Sequence, residues 1–294
     1  MNLAAVSTRA LNGIESPVVS VEVHSSNGLP SLSIVGLPET SVKESKDRVR
    51  SAILSSGFSL PPKRITVNLA PADLPKSGGR YDLSIAIGIL VATEQLQPVN
   101  LSRFEFLGEL ALNGSIRPIK GVLPSLLAAK AQGNICLLPV DNADEAALSI
   151  ESGQVDSHYV LAKDLKQVCK ILLQETVPKL PVFQSGVIEQ FIYPVDLSDV
   201  AGQFQAKRVL EICASGHHSL IMVGPPGSGK SMLASRLVTL LPPLSQQEAL
   251  ESAAIKSISG QSLVTDTFYQ RSFVSPHHTA SAASIVGGGC RLQY

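Results

Sequence analysis

The sequence predicts an α/β protein of two domains, and three observations carry that prediction. Runs rich in β-branched residues alternate with helix-spaced runs from residue 18 to about residue 175. A glycine-rich turn at 224–231 stands between an apolar run and a helix-prone one. The 294 residues, at about 150 per domain, suffice for two cores.

In residues 18–23 and 32–35, β-branched side chains alternate with small or polar ones. The intervening SSNGLP carries an Asn-Gly turn signal, which predicts a hairpin. SVKESKDRVRSAILSSG then places Val42, Val49, Ile53 and Leu54 at helical spacing, with Thr40 or Ser41 to cap the start and Gly57 to close the end. Residues 64–69 form a short β-rich run, PADLPKSGGR is a turn-rich loop, and the nearly continuous apolar character of 81–95 suits a buried helix. The same order recurs: 104–112 as strand, NGSIRP as turn, VLPSLLAAKAQG as helix stopped by Gly133, and 135–138 as strand. These elements make residues 1–175 a complete domain.

Pro178, Pro181 and Pro194 then break every periodicity, so 176–195 reads as a linker and 196–294 as the second domain. There the expected elements are a helix at 199–214, a short buried strand at 218–223 and a helix at 232–241 ended by Pro242 and Pro243.

Composition excludes several functions. With 24 Lys+Arg against 24 Asp+Glu, bulk basicity gives no reason to expect a nucleic acid partner, which leaves only a local patch. Aromatics are 4% with no Trp, so platforms for stacking bases or sugars are scarce and a phosphate ligand is favoured. The four cysteines stand far apart without a CxxC pair, which argues against a disulfide framework or a zinc site and for a reducing cytoplasm. No leader pattern opens the sequence, and the apolar stretch around 85–92 is shorter than the roughly 20 residues that span a bilayer, so the expectation is a cytoplasmic protein without membrane association.

Residues Gly224, Pro225, Pro226, Gly227, Ser228, Gly229, Lys230 and Ser231 read GPPGSGKS, a full match to G-x-x-x-x-G-K-[ST]. SLIMV precedes the motif as a strand and MLASRL follows it as a helix, the context a phosphate loop requires and a Gly/Pro-rich surface loop lacks. Glycines let backbone N–H groups turn inward around an anion, Lys230 reaches the outer phosphates, and Ser231 ligates Mg²⁺, so the expected cofactors are ATP and Mg. Hydrolysis also needs an acid at the end of a neighbouring strand. Downstream of Ser231, LSQQEALESAAI is helix-like and no apolar run ends in an acid, so no residue is assigned a catalytic role.

At GLPETSVKESKDRVRSAI, NLAPADLPKSGGRYDL, GPPGSGKS and SPHHTASAASIVGGG the sequence closely resembles the ComM/YifB family of magnesium-chelatase-like AAA+ ATPases. The resemblance covers nearly the whole chain. It implies a Lon-protease-like N-terminal domain joined to an AAA+ module, homo-hexameric assembly in the full-length family, and ATP-driven action on branched DNA in natural transformation and recombination. The family continues past GGG with a Walker B acid, sensor residues and an arginine finger. Here the match breaks at Cys290 and the sequence ends in RLQY, so a C-terminally truncated, hydrolysis-deficient form is expected and hexamer formation does not carry over safely.

Lon-type proteases place a nucleophilic Ser in a PKDGPSAG-like stretch and a general-base Lys after PIGG. In this sequence PKSGGRYD puts Arg80 at the first place and PIKGVLPS puts Leu123 at the second, so proteolysis is not expected. The remaining polar groups have plainer readings. His277 and His278 are adjacent and point apart in regular structure, and His217 and His218 lack a nearby acid, so none is assigned a role. Lys43, Lys46, Arg48 and Arg50 with Glu39, Glu44 and Asp47 make a solvated mixed-sign face. Together with Lys63, Arg64, Lys76 and Arg80 these cations are the rival candidate for contacting DNA phosphates, on the strength of the resemblance alone. Two alternatives to an AAA+ ATPase stay open: a non-enzymatic Lon-like binding or assembly module, and a magnesium chelatase motor subunit, against which the long N-terminal half argues.

Overall fold

The computed structural model describes residues 3–150, 158–174, 193–261, 263, 267–277 and 279–281. Contacts cluster into two compact units, one of Met1–Ser185 with Ala253–Thr265 and the other of Gly186–Ser252 with Asp266–Gln293. The expected linker 176–195 lies mostly outside the described residues.

The first unit runs β1 (Leu3–Arg9), β2 (Val18–Ser26), β3 (Ser31–Val35), α1 (Thr40–Lys43), α2 (Ser45–Ser55), β4 (Arg64–Ala70) and α3 (Asp82–Ala92). It continues with β5 (Phe104–Phe106), β6 (Glu109–Leu110), β7 (Ile116–Arg117), α4 (Val122–Ala131), β8 (Ile135–Pro139), α5 (Ala143–Ala147), β9 (Tyr159–Ala162) and α6 (Leu165–Leu172). Seven strands form one mixed sheet in the order β3-β4-β2-β1-β5-β8-β9, with β1, β5, β8 and β9 parallel. This is the α/β class that the sequence predicts.

Burial follows the sequence pattern. In β2, Val19, Val21 and Val23 are buried while Val18, Glu22 and His24 are exposed, the alternation of a strand covered on one face. In β8, Leu137 packs into the cluster containing α3 while Cys136 and Leu138 pack into the one containing α4, so both faces are covered and the run reads apolar throughout. Helix α3 lies so close to the sheet that a Cβ on Gly88 would sit 2.6 Å from Val23 Cγ2.

Several expected elements differ. Strands β2 and β3 do not form a hairpin: β4 lies between them, antiparallel to β2 with Val21 opposite Leu69 and parallel to β3 with Ile34 opposite Val67. The Asn-Gly bend reverses the chain, but a strand from later in the sequence takes the place beside β2. Strand β1 gave no strong signal because LAAVSTR is mostly small and polar. The expected 104–112 strand splits at Gly108, where a Cβ would meet Ile116 Cγ2 at 2.5 Å, and β6 pairs with β7 instead of extending β5. Leu54 is 49% exposed, so the buried stripe of α2 is Val49, Ala52 and Ile53. Neither Thr40 nor Ser41 caps α1; Glu39 holds that place, and Ser41 Oγ accepts the Gly78 N–H at 3.0 Å. Gly57 closes α2 as expected, at φ +82°.

The second unit contains α7 (Phe204–Gly216), α8 (Lys230–Leu240) and the start of α9 (Gln246–Ser259). Its core is Leu197, Val200, Leu210 and Leu233, with Leu220 and Met222 packed against it. The first helix begins later than the expected residue 199 because Gly202 and Gln203 both take positive φ. The expected strand at 218–223 is an extended segment with no strand beside it among the described residues. Leu220 and Met222 face inward while Ile221 and Val223 are 87% and 93% exposed, so the alternation of a strand is present without a ladder.

Candidate phosphate-binding site

Residues 224–231 turn from that extended segment directly into α8. Gly227 and Gly229 take φ of +80° and +84°, the left-handed conformation that glycine adopts without steric cost, and a Cβ at Gly227 would meet nothing within 4 Å. Gly229 is the N-cap of α8 and accepts the first helical bond from the Leu233 N–H at 2.9 Å. The N–H groups of the preceding first turn have no acceptor within the helix, so they and the positive helix end are available to an anion.

The Lys230 ammonium folds back over the loop, donating to Gly224 O at 2.8 Å, Pro225 O at 2.7 Å and Ser228 Oγ at 3.3 Å. Among the described residues no carboxylate pairs with it. A cation satisfied only by neutral carbonyls and a hydroxyl is poised to exchange them for phosphate oxygens, which form stronger charge-assisted bonds. Ser231 lies exposed in the first turn of α8, where its hydroxyl is free of any structural burial. The eight expected residues are thus contiguous, with Gly224 to Gly229 forming the turn and Lys230 and Ser231 opening α8. The donor set suits a nucleotide triphosphate with Mg²⁺: Lys230 and backbone N–H groups would hold phosphate, and Ser231 Oγ would face the metal. Helix α8 is anchored by Arg236, whose Nε donates to Asp196 O at 2.9 Å, and Asp196 itself caps the turn at 197–199. A cavity of about 380 Å³ lies elsewhere in this unit, lined by Leu237, Leu241, Leu244 and Phe273, and none of residues 224–231 lines it.

In the first unit, Arg80 and Leu123, which the resemblance sets at the two places of a Lon-type dyad, carry neither a nucleophile nor a base. Arg80 is 5% exposed and donates from Nη2 to Ser125 Oγ at 2.8 Å, two residues beyond Leu123. Leu123 is fully buried, and its N–H donates to Glu145 Oε1 at 2.9 Å. Sequence reasoning passed over the hydroxyl of Ser125. Its Oγ lies 2.9 Å from Gly121 O and 2.8 Å from Ser16 Oγ, and the guanidinium beside it is already fully protonated, so no base activates it.

The rival set of DNA-contacting cations is reduced. Arg48 is taken by Asp82, Nε to Oδ2 at 2.7 Å and Nη2 to Oδ1 at 3.1 Å. Lys76 is fully buried, with Nζ on the carbonyls of Gly36, Pro71 and Leu74, and Arg80 is buried as described. Lys43, Lys46, Arg50, Lys63 and Arg64 stay exposed. His217 and His218 are exposed, the former as the left-handed C-cap of α7. His277 Nδ1 bonds Thr279 Oγ1 at 2.7 Å, and His278 and Cys290 lie outside the described residues. Among the described residues, no cluster of three His, Cys, Asp or Glu side chains could hold a metal ion, and no helix is long and apolar enough to cross a membrane.

Comparison with known proteins relates this sequence to a family. Residues 21–142 match the model "Subunit ChlI of Mg-chelatase", and residues 196–293 match "Magnesium chelatase, subunit ChlI". The sequence is 50% identical over 289 residues to an uncharacterized protein YifB of Salmonella typhimurium, and equally to that of Escherichia coli. It is 47% identical over 294 residues to the competence protein ComM of Haemophilus influenzae. Each alignment covers 98% of this chain and 56% of the relative, so the chain spans little more than half the length of the proteins it matches.

Proposed function

The chain belongs to the ComM/YifB family of magnesium-chelatase-like AAA+ proteins, and from that premise we propose that it binds ATP with Mg²⁺ through residues 224–231. The observation that carries this reading is the cradle itself: two glycines at positive φ, a free helix N-terminus, and Lys230 resting on neutral acceptors. Lys230 neutralises the outer phosphates, the first-turn N–H groups fix them, and Ser231 Oγ takes a place in the Mg²⁺ coordination sphere. Bound Mg²⁺ supplies charge neutralisation between the outer phosphates.

We further propose that proteins of this type act in the cytoplasm as hexameric DNA motors on branched DNA in transformation and recombination; the word competence in one relative's name supports the link to transformation. In this reading the first unit is a binding or assembly module, and its exposed Lys43, Lys46, Arg50, Lys63 and Arg64 are the cations left to contact phosphate.

Equilibrium titration with a fluorescent ATP analogue, with and without Mg²⁺, tests the binding. Saturable Mg²⁺-dependent binding is expected, and its absence overturns the reading.

A further inference from the structure

The seven-stranded sheet ends in two edge strands that differ in cover. Tyr159, Val160 and Ala162 of β9 are buried. Strand β3 is open: among the described residues no strand pairs with its far side, and Leu29, Val35 and Leu37 along it are exposed, the two leucines at 88% and 70%. The Ser31 N–H donates to Lys63 O at 3.4 Å, so in the parallel ladder Ser31, Ser33 and Val35 turn their backbone polar groups toward β4, while Leu32 and Ile34 turn theirs outward. Such an edge is a template for another strand, and proteins that keep one free place Lys, Pro or a bulge within it. Strand β3, SLSIV in one-to-one register with β4, has none of these, and residues 27–38 carry no charge.

The occupant that fits this edge is the same edge reversed. When two copies meet antiparallel with Ser33 on a two-fold axis, Leu32 stands opposite Ile34 of the second copy and Ile34 opposite its Leu32. The outward groups of residues 32 and 34 then close two hydrogen-bonded pairs, and apolar meets apolar. The strand ends match as well. Pro30 falls opposite Gly36; it has a carbonyl but no N–H, while the Gly36 carbonyl already accepts from Lys76 Nζ at 3.1 Å and leaves its N–H to offer. Moving the axis loses these matches: centred on Leu32, Pro30 faces Ile34 without a donor, and centred on Ile34, Leu32 faces the occupied Gly36 carbonyl. The exposed Leu29 and Leu37 flank opposite ends of the strand, so the two-fold brings each beside the other's counterpart. With no charge in residues 27–38, nothing along the edge repels its own copy.

We propose that the free edge of β3 is a homodimer contact, at which a second copy of this chain adds its own β3 antiparallel about a two-fold axis through Ser33. The contact is isologous and pairs copies two by two, unlike the head-to-tail contacts that close a ring. It uses none of residues 224–231, so nucleotide binding and this contact succeed or fail separately. Its small area sets the dissociation constant on the order of 10 µM.

The test uses the whole chain without nucleotide. Sedimentation velocity between about 1 and about 200 µM should show a reversible monomer–dimer equilibrium. Ser33→Lys sets two like charges about 4.5 Å apart, Cα to Cα, on the axis and should weaken dimerisation at least about tenfold at low salt. Ser33→Glu should do the same, and an equimolar mixture of the two variants should associate. Ser33→Cys, at a Cα separation that a disulfide accepts, should give a covalent dimer on oxidation with diamide, above the background of the unaltered protein. Ser31→Cys, whose two copies stand roughly 14 Å apart along the paired strands, should not. A chain that stays monomeric across the range overturns the proposal. So does a dimer or larger assembly unchanged by Ser33→Lys, or equal cross-linking from positions 31 and 33. If the charged variants do not fold, the comparison of Ser33→Cys with Ser31→Cys decides alone.

Discussion

Arg9 and Arg80 are both buried cations of the first unit, and Arg9 shows what a satisfied one requires. Its Nε meets Glu105 Oε2 at 2.5 Å, its Nη2 meets Glu105 Oε1 at 2.8 Å and Gln132 Oε1 at 2.7 Å, and its Nη1 meets Ser16 O at 2.8 Å. The two side chains are 2% and 0% exposed, so neither charge is screened by solvent. Glu105→Gln keeps the volume and removes the charge, leaving Arg9 buried with no counter-ion. Breaking a buried pair from one side costs about 3–5 kcal/mol. In a unit of this size that lowers Tm by roughly 10 °C. The double variant Arg9→Met with Glu105→Leu removes both charges and should cost no more than about 2 kcal/mol, mostly the orphaned Ser16 carbonyl. Amide hydrogen exchange of β1 and β5 reads the opening free energy of this unit by itself. A loss below about 1 kcal/mol in Glu105→Gln, or a double variant as unstable as the single one, would refute the reasoning.

Three further outcomes follow from the same geometry. Lys230→Ala should weaken ATP binding about 100-fold or more, since one or two charge-assisted phosphate bonds are worth about 3 kcal/mol, while Tm changes little because Lys230 makes only local contacts; fluorescence anisotropy within threefold of the unaltered protein would contradict it. Gly36→Ala should destabilise by more than about 3 kcal/mol in urea unfolding, since its φ is +102° and a Cβ would stand 2.2 Å from Leu69 O, whereas Gly57→Ala, at φ +82° with nothing within 4 Å, should cost only about 1 kcal/mol. The Cys169 thiol, pushed up to about 12 by burial, should resist Ellman's reagent at pH 8, where only about one thiol in 10⁴ is ionised. Because its folded pKa exceeds the ordinary 9.0, the stability it contributes is present below about pH 9 and lost as pH rises toward 12, a trend that Cys169→Ala should flatten in alkaline melts.

The parts of the fold legible in the sequence are those that short-range physics decides. Helix α3 needs only an unbroken apolar run, and α8 needs only a glycine before it and prolines after it. The order of strands is decided elsewhere. Nothing local to SSNGLP says that residues 64–70 will insert beside β2, because the pairing of Val21 with Leu69 compares every alternative partner at once. The extended segment before Gly224 makes the same point from the other side. Its apolar alternation was readable, but a strand exists only where a neighbouring backbone accepts its hydrogen bonds.

The proposed phosphate loop is legible residue by residue because one turn and the helix start after it supply every group, and the chemistry expected of it follows from glycine, lysine and serine at fixed spacing. The cations of the first unit were not, because a charge's role depends on what burial brings to it. Arg48, Lys76 and Arg80 look alike in sequence, yet Asp82 neutralises the first, three carbonyls receive the second, and the third is left with a serine. Arg48 is matched across 34 residues by an acid at the start of α3, so it stabilises the fold and is lost to any ligand. Lys76 clamps the loop that leads to Arg80, which fixes where that guanidinium can point.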